Sequence, residues 1–260
     1  MKNTDYTRGE FEDFMGGIKR ASDIVRAVNP SIYIVSLNGG QPLFDVLTIA
    51  DRDFDASLAV YFPISSKIMD SAKIAEKCFT NLLLERQHQG SEPQRIVSLD
   101  EVVSGGSVSR ILNAYDTALR IVGKYNVGRY DREAISVEAR HLAEQFPFNI
   151  IGIKEPRVRT KRKYREEVKK GRVDEIPVQR IVTMDDPDMH IPVFDHPTSK
   201  GWNGQGYFPN VGDLRITPKY MAFLKDAARF FGVDPSNVSP QGIAIMSEHS
   251  KKYSAKPNFT

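Results

Sequence analysis

The chain has 260 residues, 40% of them hydrophobic, with one cysteine and a formal net charge of +3. That length buries one sizeable core with room for an appended subdomain, and the charge is too small to argue for a nucleic-acid partner by itself. Cys78 alone excludes a disulfide framework within the chain; together with a charged start (Met1 to Phe14) and no apolar run long enough for a bilayer, it predicts a soluble cytoplasmic protein.

Phe11, Phe14, Met15, Ile18, Ala21 and Val25 fall on one helical face, and Asn29-Pro30 stops that helix. The run Ile32 to Leu37 reads as a buried strand. It enters the turn Asn38-Gly39-Gly40-Gln41, after which Pro42, Leu43, Val46, Leu47 and Ile49 predict a second helix. A strand over Ser57 to Ile64 follows the acidic turn Asp51 to Asp55. Lys67 to Arg86 is helical in pattern, with Cys78 on its packed face as an inert thiol. Ile96, Val97 and Leu99 then form a strand that ends in Asp100 and Glu101. Ser104-Gly105-Gly106-Ser107 opens a helix carried by Val108, Ile111, Leu112, Tyr115, Ala118, Leu119 and Val122. Glycines expose backbone N–H groups, serines add hydroxyls, and a helix start carries partial positive charge, so this loop suits a phosphate. The two carboxylates before it suit ribose hydroxyls or a divalent metal.

Farther on, Ala134, Ile135 and Val137, and then Phe148 to Ile153, predict two more strands, and the core is expected to close at residue 153. Alternating strands and helices of these lengths argue for an α/β protein with a parallel sheet. Lys154 to Arg180 holds eleven Lys/Arg against five Asp/Glu, a basic strip with Tyr164 as its one aromatic residue. The segment 184–200 collects Asp185, Asp186, Asp188, His190, Asp195 and His196 at no recognised metal spacing. Trp202, Tyr207 and Phe208 sit in a glycine-rich loop. Tyr220, Phe223, Leu224, Ala227, Phe230 and Phe231 form an amphipathic helix capped by Thr217, with Pro218 at its first position and Gly232 at its stop.

The order of apolar strand, acidic pair, small-residue loop and helix over residues 95–107 resembles the phosphoribosyl pyrophosphate (PRPP) motif of type I phosphoribosyltransferases, at the loop length of the orotate type. The departures are Glu101 for a second Asp and Ser where Thr is commoner. The resemblance implies a phosphoribosyltransferase-like α/β core over residues 1–153, with a basic excursion and an irregular C-terminal hood over 154–260. It implies that Asp100 and Glu101 orient the ribose and hold Mg2+, and that Ser104, Gly105, Gly106 and Ser107 bind the 5-phosphate. The first loop would bind pyrophosphate through Gly39 and Gly40, with Asn38 where a basic residue is common and the missing cation supplied by Lys67 or Arg52. The implied reaction transfers phosphoribosyl from PRPP to a nitrogen acceptor such as a nucleobase and releases pyrophosphate, in a chain that pairs as a homodimer. The alternative is a non-catalytic PRPP or nucleotide sensor whose strip 154–180 engages nucleic acid or a protein.

Overall fold

The computed structural model describes residues 6–36, 39–62, 71–89, 92–183 and 217–238. Helix α1 (Arg8–Val28) starts in a capping box, in which Thr7 accepts from the Glu10 N–H and Glu10 Oε2 accepts from the Thr7 N–H at 2.6 Å. Asn29, in the left-handed region at φ 49°, ends it before Pro30. The remaining elements are β1 (Ile32–Ser36), α2 (Gly40–Ala50), β2 (Ala59–Phe62), α3 (Ser71–Arg86), β3 (Ile96–Val102), α4 (Gly106–Val127), α5 (Arg132–Gln145), β4 (Phe148–Lys154), α6 (Arg162–Lys169), β5 (Val173–Pro177) and α7 (Pro218–Phe230).

The five strands make one all-parallel sheet in the order β2-β1-β3-β4-β5. Every residue of β1, β2 and β3 is buried, as a sheet covered on both faces requires. Tyr33, Val35, Val97, Leu99 and Ile151 face α1, α2 and α7, while Ile32, Ile34, Ile96 and Ile150 face α3, α4 and Tyr164 of α6. Two apolar cores therefore share one sheet. Helix α7 has its predicted ends: the Thr217 side chain accepts from the Tyr220 N–H at 3.0 Å, Pro218 takes the first turn, and Gly232 adopts φ 68°.

Three expectations change. Residues Ala134 to Val137 lie in helix α5, not in a strand. The Asp131 carboxylate accepts from the N–H groups of Glu133 and Ala134, and Ile135, Ala139 and Leu142 then repeat at helical spacing. Helix α5 lies close on α4 at Gly123, where a Cβ would stand 3.2 Å from Ile135 O. The second strand is shorter than Ser57 to Ile64, because Ala56–Leu58 is a 3-10 turn capped by Asp55 and residues 63–64 lie outside the described residues. The sheet also continues past residue 153: β5 pairs with β4 from Ile150 and Val173 to Lys154 and Pro177. The basic strip is thus built into the fold's edge. Lys154, Arg162, Lys170, Arg172 and Arg180 make ion pairs, Arg172 with both Asp116 and Glu167. No helix among the described residues is long and apolar enough to cross a membrane.

Candidate functional site

From β1 the chain passes to β2 on one side of the sheet and then crosses to β3 on the other, so the winding reverses between β1 and β3. A crevice opens at such a point, outside the carboxyl ends of the two strands. Helix α2 begins there at Gly40 and helix α4 at Gly106. The N-caps of both are glycines, Gly39 and Gly105, and neither helix start has a side-chain cap; the start of α6, at Lys161, has none either. Helices α1, α5 and α7 are all capped by side chains. The first N–H groups of a helix need acceptors, and those of α2 and α4 are left to whatever enters the crevice.

Asp100 and Glu101 lie inside β3 and are buried, at 4% and 7% exposure, instead of standing free after the strand. As neighbours in a strand they point to opposite faces. Asp100 lies on the α4 side, where Oδ1 accepts from Ser36 Oγ at 3.2 Å and Oδ2 from Ser107 Oγ at 3.0 Å. Burial pushes its carboxyl up to about 6, against the opposing pull of the Ser107 and Ser36 hydroxyls. Glu101 lies on the α2 and α7 side and accepts from the Thr183 hydroxyl. Gly39 touches both acids: a Cβ there would come within 2.7 Å of Asp100 Oδ1 and 3.7 Å of Glu101 Cβ. A Cβ on Gly40 would meet Ser36 Oγ at 2.7 Å and Leu99 O at 3.0 Å, so glycine is what lets the first turn of α2 reach the sheet.

The second loop is held from beneath by α6. Gly105 takes φ 70°, and a Cβ there would come within 2.3 Å of the Tyr164 ring, which is fully buried. The Lys161 N–H donates to Ser104 O at 3.0 Å. Its ammonium lies along the loop, with Nζ 3.2 Å and Ser104 Oγ 3.4 Å from where a Cβ of Gly106 would be. Tyr164 is held neutral, its phenol raised by burial and by the nearby Glu175 carboxylate.

The structure thus brings together Gly39, Gly40, Asp100, Ser104, Gly105, Gly106 and Ser107. Glu101 adjoins the group through Gly39 alone. Asn38, Lys67, the Asp/His cluster over 184–200 and the aromatic loop over 201–210 lie outside the described residues. Arg52 is elsewhere, at the far end of α2, where it donates to Gly232 O at 3.2 Å. The carboxylate pair does not fit a shared Mg2+ site, because its members face opposite sides of the sheet and both accept from protein hydroxyls. Among the described residues no three His, Cys, Asp or Glu side chains gather in a metal-binding group.

Ser36, Lys161, Tyr164 and Thr183 are contributors that sequence reasoning did not place in the site. Ser36 left a faint signal, as a hydroxyl near the end of an apolar strand. Lys161 left only its charge. No protein family, curated protein or solved structure matches the chain in comparisons with known proteins.

Proposed function

We propose that the crevice binds the 5-phosphoribosyl group of PRPP and that the protein is a phosphoribosyltransferase acting on a nitrogen acceptor. One observation carries this reading: two uncapped helix starts meet at the sheet's switch point on either side of a buried carboxylate. Donors from Ser104 to Ser107 suit the 5-phosphate, and those of Gly39 and Gly40 the pyrophosphate. Asp100, ionised above about pH 6, adds negative charge beside a sugar ring that turns cationic as pyrophosphate leaves C1. Most of the acceleration would come from positioning and charge complementarity, since the chemistry asks for no covalent step by the protein. The acceptor would meet the ribose from outside the core, and its identity belongs to the hood region. A reducing cytoplasm suits this substrate and the single buried thiol of Cys78.

A second reading, a PRPP sensor without turnover, is favoured by the fact that both Asp100 oxygens already accept from serines. One pair of measurements separates the two. The full chain is titrated calorimetrically with PRPP and Mg2+, then assayed for pyrophosphate release with a panel of nucleobases. Binding with release supports the transferase, and binding without release supports the sensor. No binding of PRPP or ribose 5-phosphate overturns both.

A further inference from the structure

The basic strip sends its first helix onto the candidate phosphate loop, and one of its cations ends there. Helix α6 docks by two contacts, the Lys161 N–H to Ser104 O and the Tyr164 ring under Gly105. Five basic side chains of the strip are consumed in ion pairs at the sheet edge. Lys161 is not among them. Its side chain runs along the loop, and Gly106, lacking a side chain, leaves a hollow bounded by Lys161 Nζ on one side and Ser104 Oγ on the other. That hollow sits on the first residue of α4, whose N–H groups have no side-chain cap. An ammonium, a hydroxyl and unspent helix amides around a gap that a single methyl would fill make a donor set for a tetrahedral dianion.

We infer that Lys161 is the cation of the phosphate loop, closing with Ser104 a cradle over Gly106 that takes the phosphomonoester of the ligand. This rests on the phosphoribosyl reading and adds to it the residue that gives the loop its preference for a doubly charged phosphate. It also gives the strip a role in the site: part of it fastens the edge of the sheet, and its first lysine reaches the ligand. A lysine 54 residues downstream replaces a basic residue that the loops themselves lack.

The test is calorimetric titration of ribose 5-phosphate into the full chain and three variants, each shown to be folded by circular dichroism and urea unfolding. Lys161→Met is expected to weaken binding about tenfold or more, the scale of a lost charge-assisted hydrogen bond. Lys163→Met removes the same charge from an exposed position two residues away, and leaves affinity unchanged. Gly106→Ala folds, because the close neighbour of the new methyl is the flexible end of Lys161, yet it fills the hollow and weakens binding at least as much. Wild-type affinity in Lys161→Met or in Gly106→Ala overturns the inference while the phosphoribosyl reading stands. Equal losses in Lys161→Met and Lys163→Met overturn it too, since they indicate a diffuse field. Salt-dependent binding of single-stranded RNA that falls equally in both lysine variants assigns the strip to nucleic acid, and also overturns it. Absence of ribose 5-phosphate binding by the wild-type chain removes the reading beneath it.

Discussion

Asp100 is the residue whose cost and use are most clearly opposed. Buried at 4% exposure, its carboxyl is raised from an ordinary 3.8 to about 6, so the folded protein favours the neutral form. The sign follows from that direction. Its contribution to stability is full below about pH 4 and is lost as pH rises through about 6. Asn keeps an acceptor for one serine and cannot ionise, and Ser hydroxyls can turn to accept from its amide. Asp100→Asn should therefore gain on the wild type between pH 4 and pH 8 by about 3 kcal/mol, from a shift of roughly two pH units. Urea unfolding of both proteins at the two pH values measures it, and PRPP binding by the variant should be lost at pH 8. A stability difference independent of pH would show that the acid is not held against an ionisation cost. Gly105 has a role of the opposite kind. Alanine there meets both a left-handed φ and the Tyr164 ring at 2.3 Å, and should cost roughly 3 kcal/mol or more in urea unfolding. Gly106→Ala, one residue on, should leave stability close to wild type. The contrast between adjacent glycines separates a backbone requirement from a binding one.

At the scale of elements, the strip of residues 131–145 tests which local signal prevails. A short run of Ala134, Ile135 and Val137 resembles a strand, yet Val137 is half exposed and the buried residue is Leu142. The Asp131 cap explains the outcome: two backbone N–H groups find an acceptor as soon as the chain turns helical. Asp131→Ala should lower stability by about 1 kcal/mol and reduce the helical circular dichroism signal, whereas a loop-bound Asp131 would give no change. The elements legible in the sequence are those with a full apolar period. Helices α1, α4 and α7 carry long buried stripes, and β1, β3 and β4 are continuous apolar runs. Strand β5 escaped because an edge strand buries only Val173 and Ile176, and α6 because its eight residues bury Tyr164 and Glu167 alone. The two loops of the crevice were legible for a related reason, since glycines directly after a buried strand mark a turn into a helix. The partners of those loops were not. Thr183 reaches Glu101 across 82 residues, and Ser36 reaches Asp100 across 64, separations that no local pattern encodes.

Across the whole molecule, the fold consists of two apolar cores pressed on one five-stranded sheet, and its cooperativity depends on how far they share a fate. Ile18 lies in the core under α1, and Cys78 lies in the opposite core between α3 and the sheet. The Cys78 thiol is 3% exposed and pushed up to about 12 by burial, so the folded chain offers almost no thiolate to an alkylating or disulfide reagent. Reaction then requires opening, and its rate reports the free energy of that opening. The strands between the cores are buried on both faces, so losing the α1 layer would expose the side of the sheet that holds Tyr33 and Val97 while the other side still packed α3. Such a half-covered sheet would be a poor intermediate, because in an all-parallel sheet both faces are apolar. One cooperative unit is therefore the expected behaviour. Ile18→Val should cost about 1 kcal/mol through the lost methylene, and Cys78 labelling by a thiol reagent in mild urea should quicken about fivefold although the substitution lies on the opposite face. A lower urea midpoint with unchanged labelling would show instead that the α3 and α4 layer holds the thiol closed while the other layer opens. The crevice, built from loops that lead into α2 on one face and α4 on the other, would then lose one wall before the other.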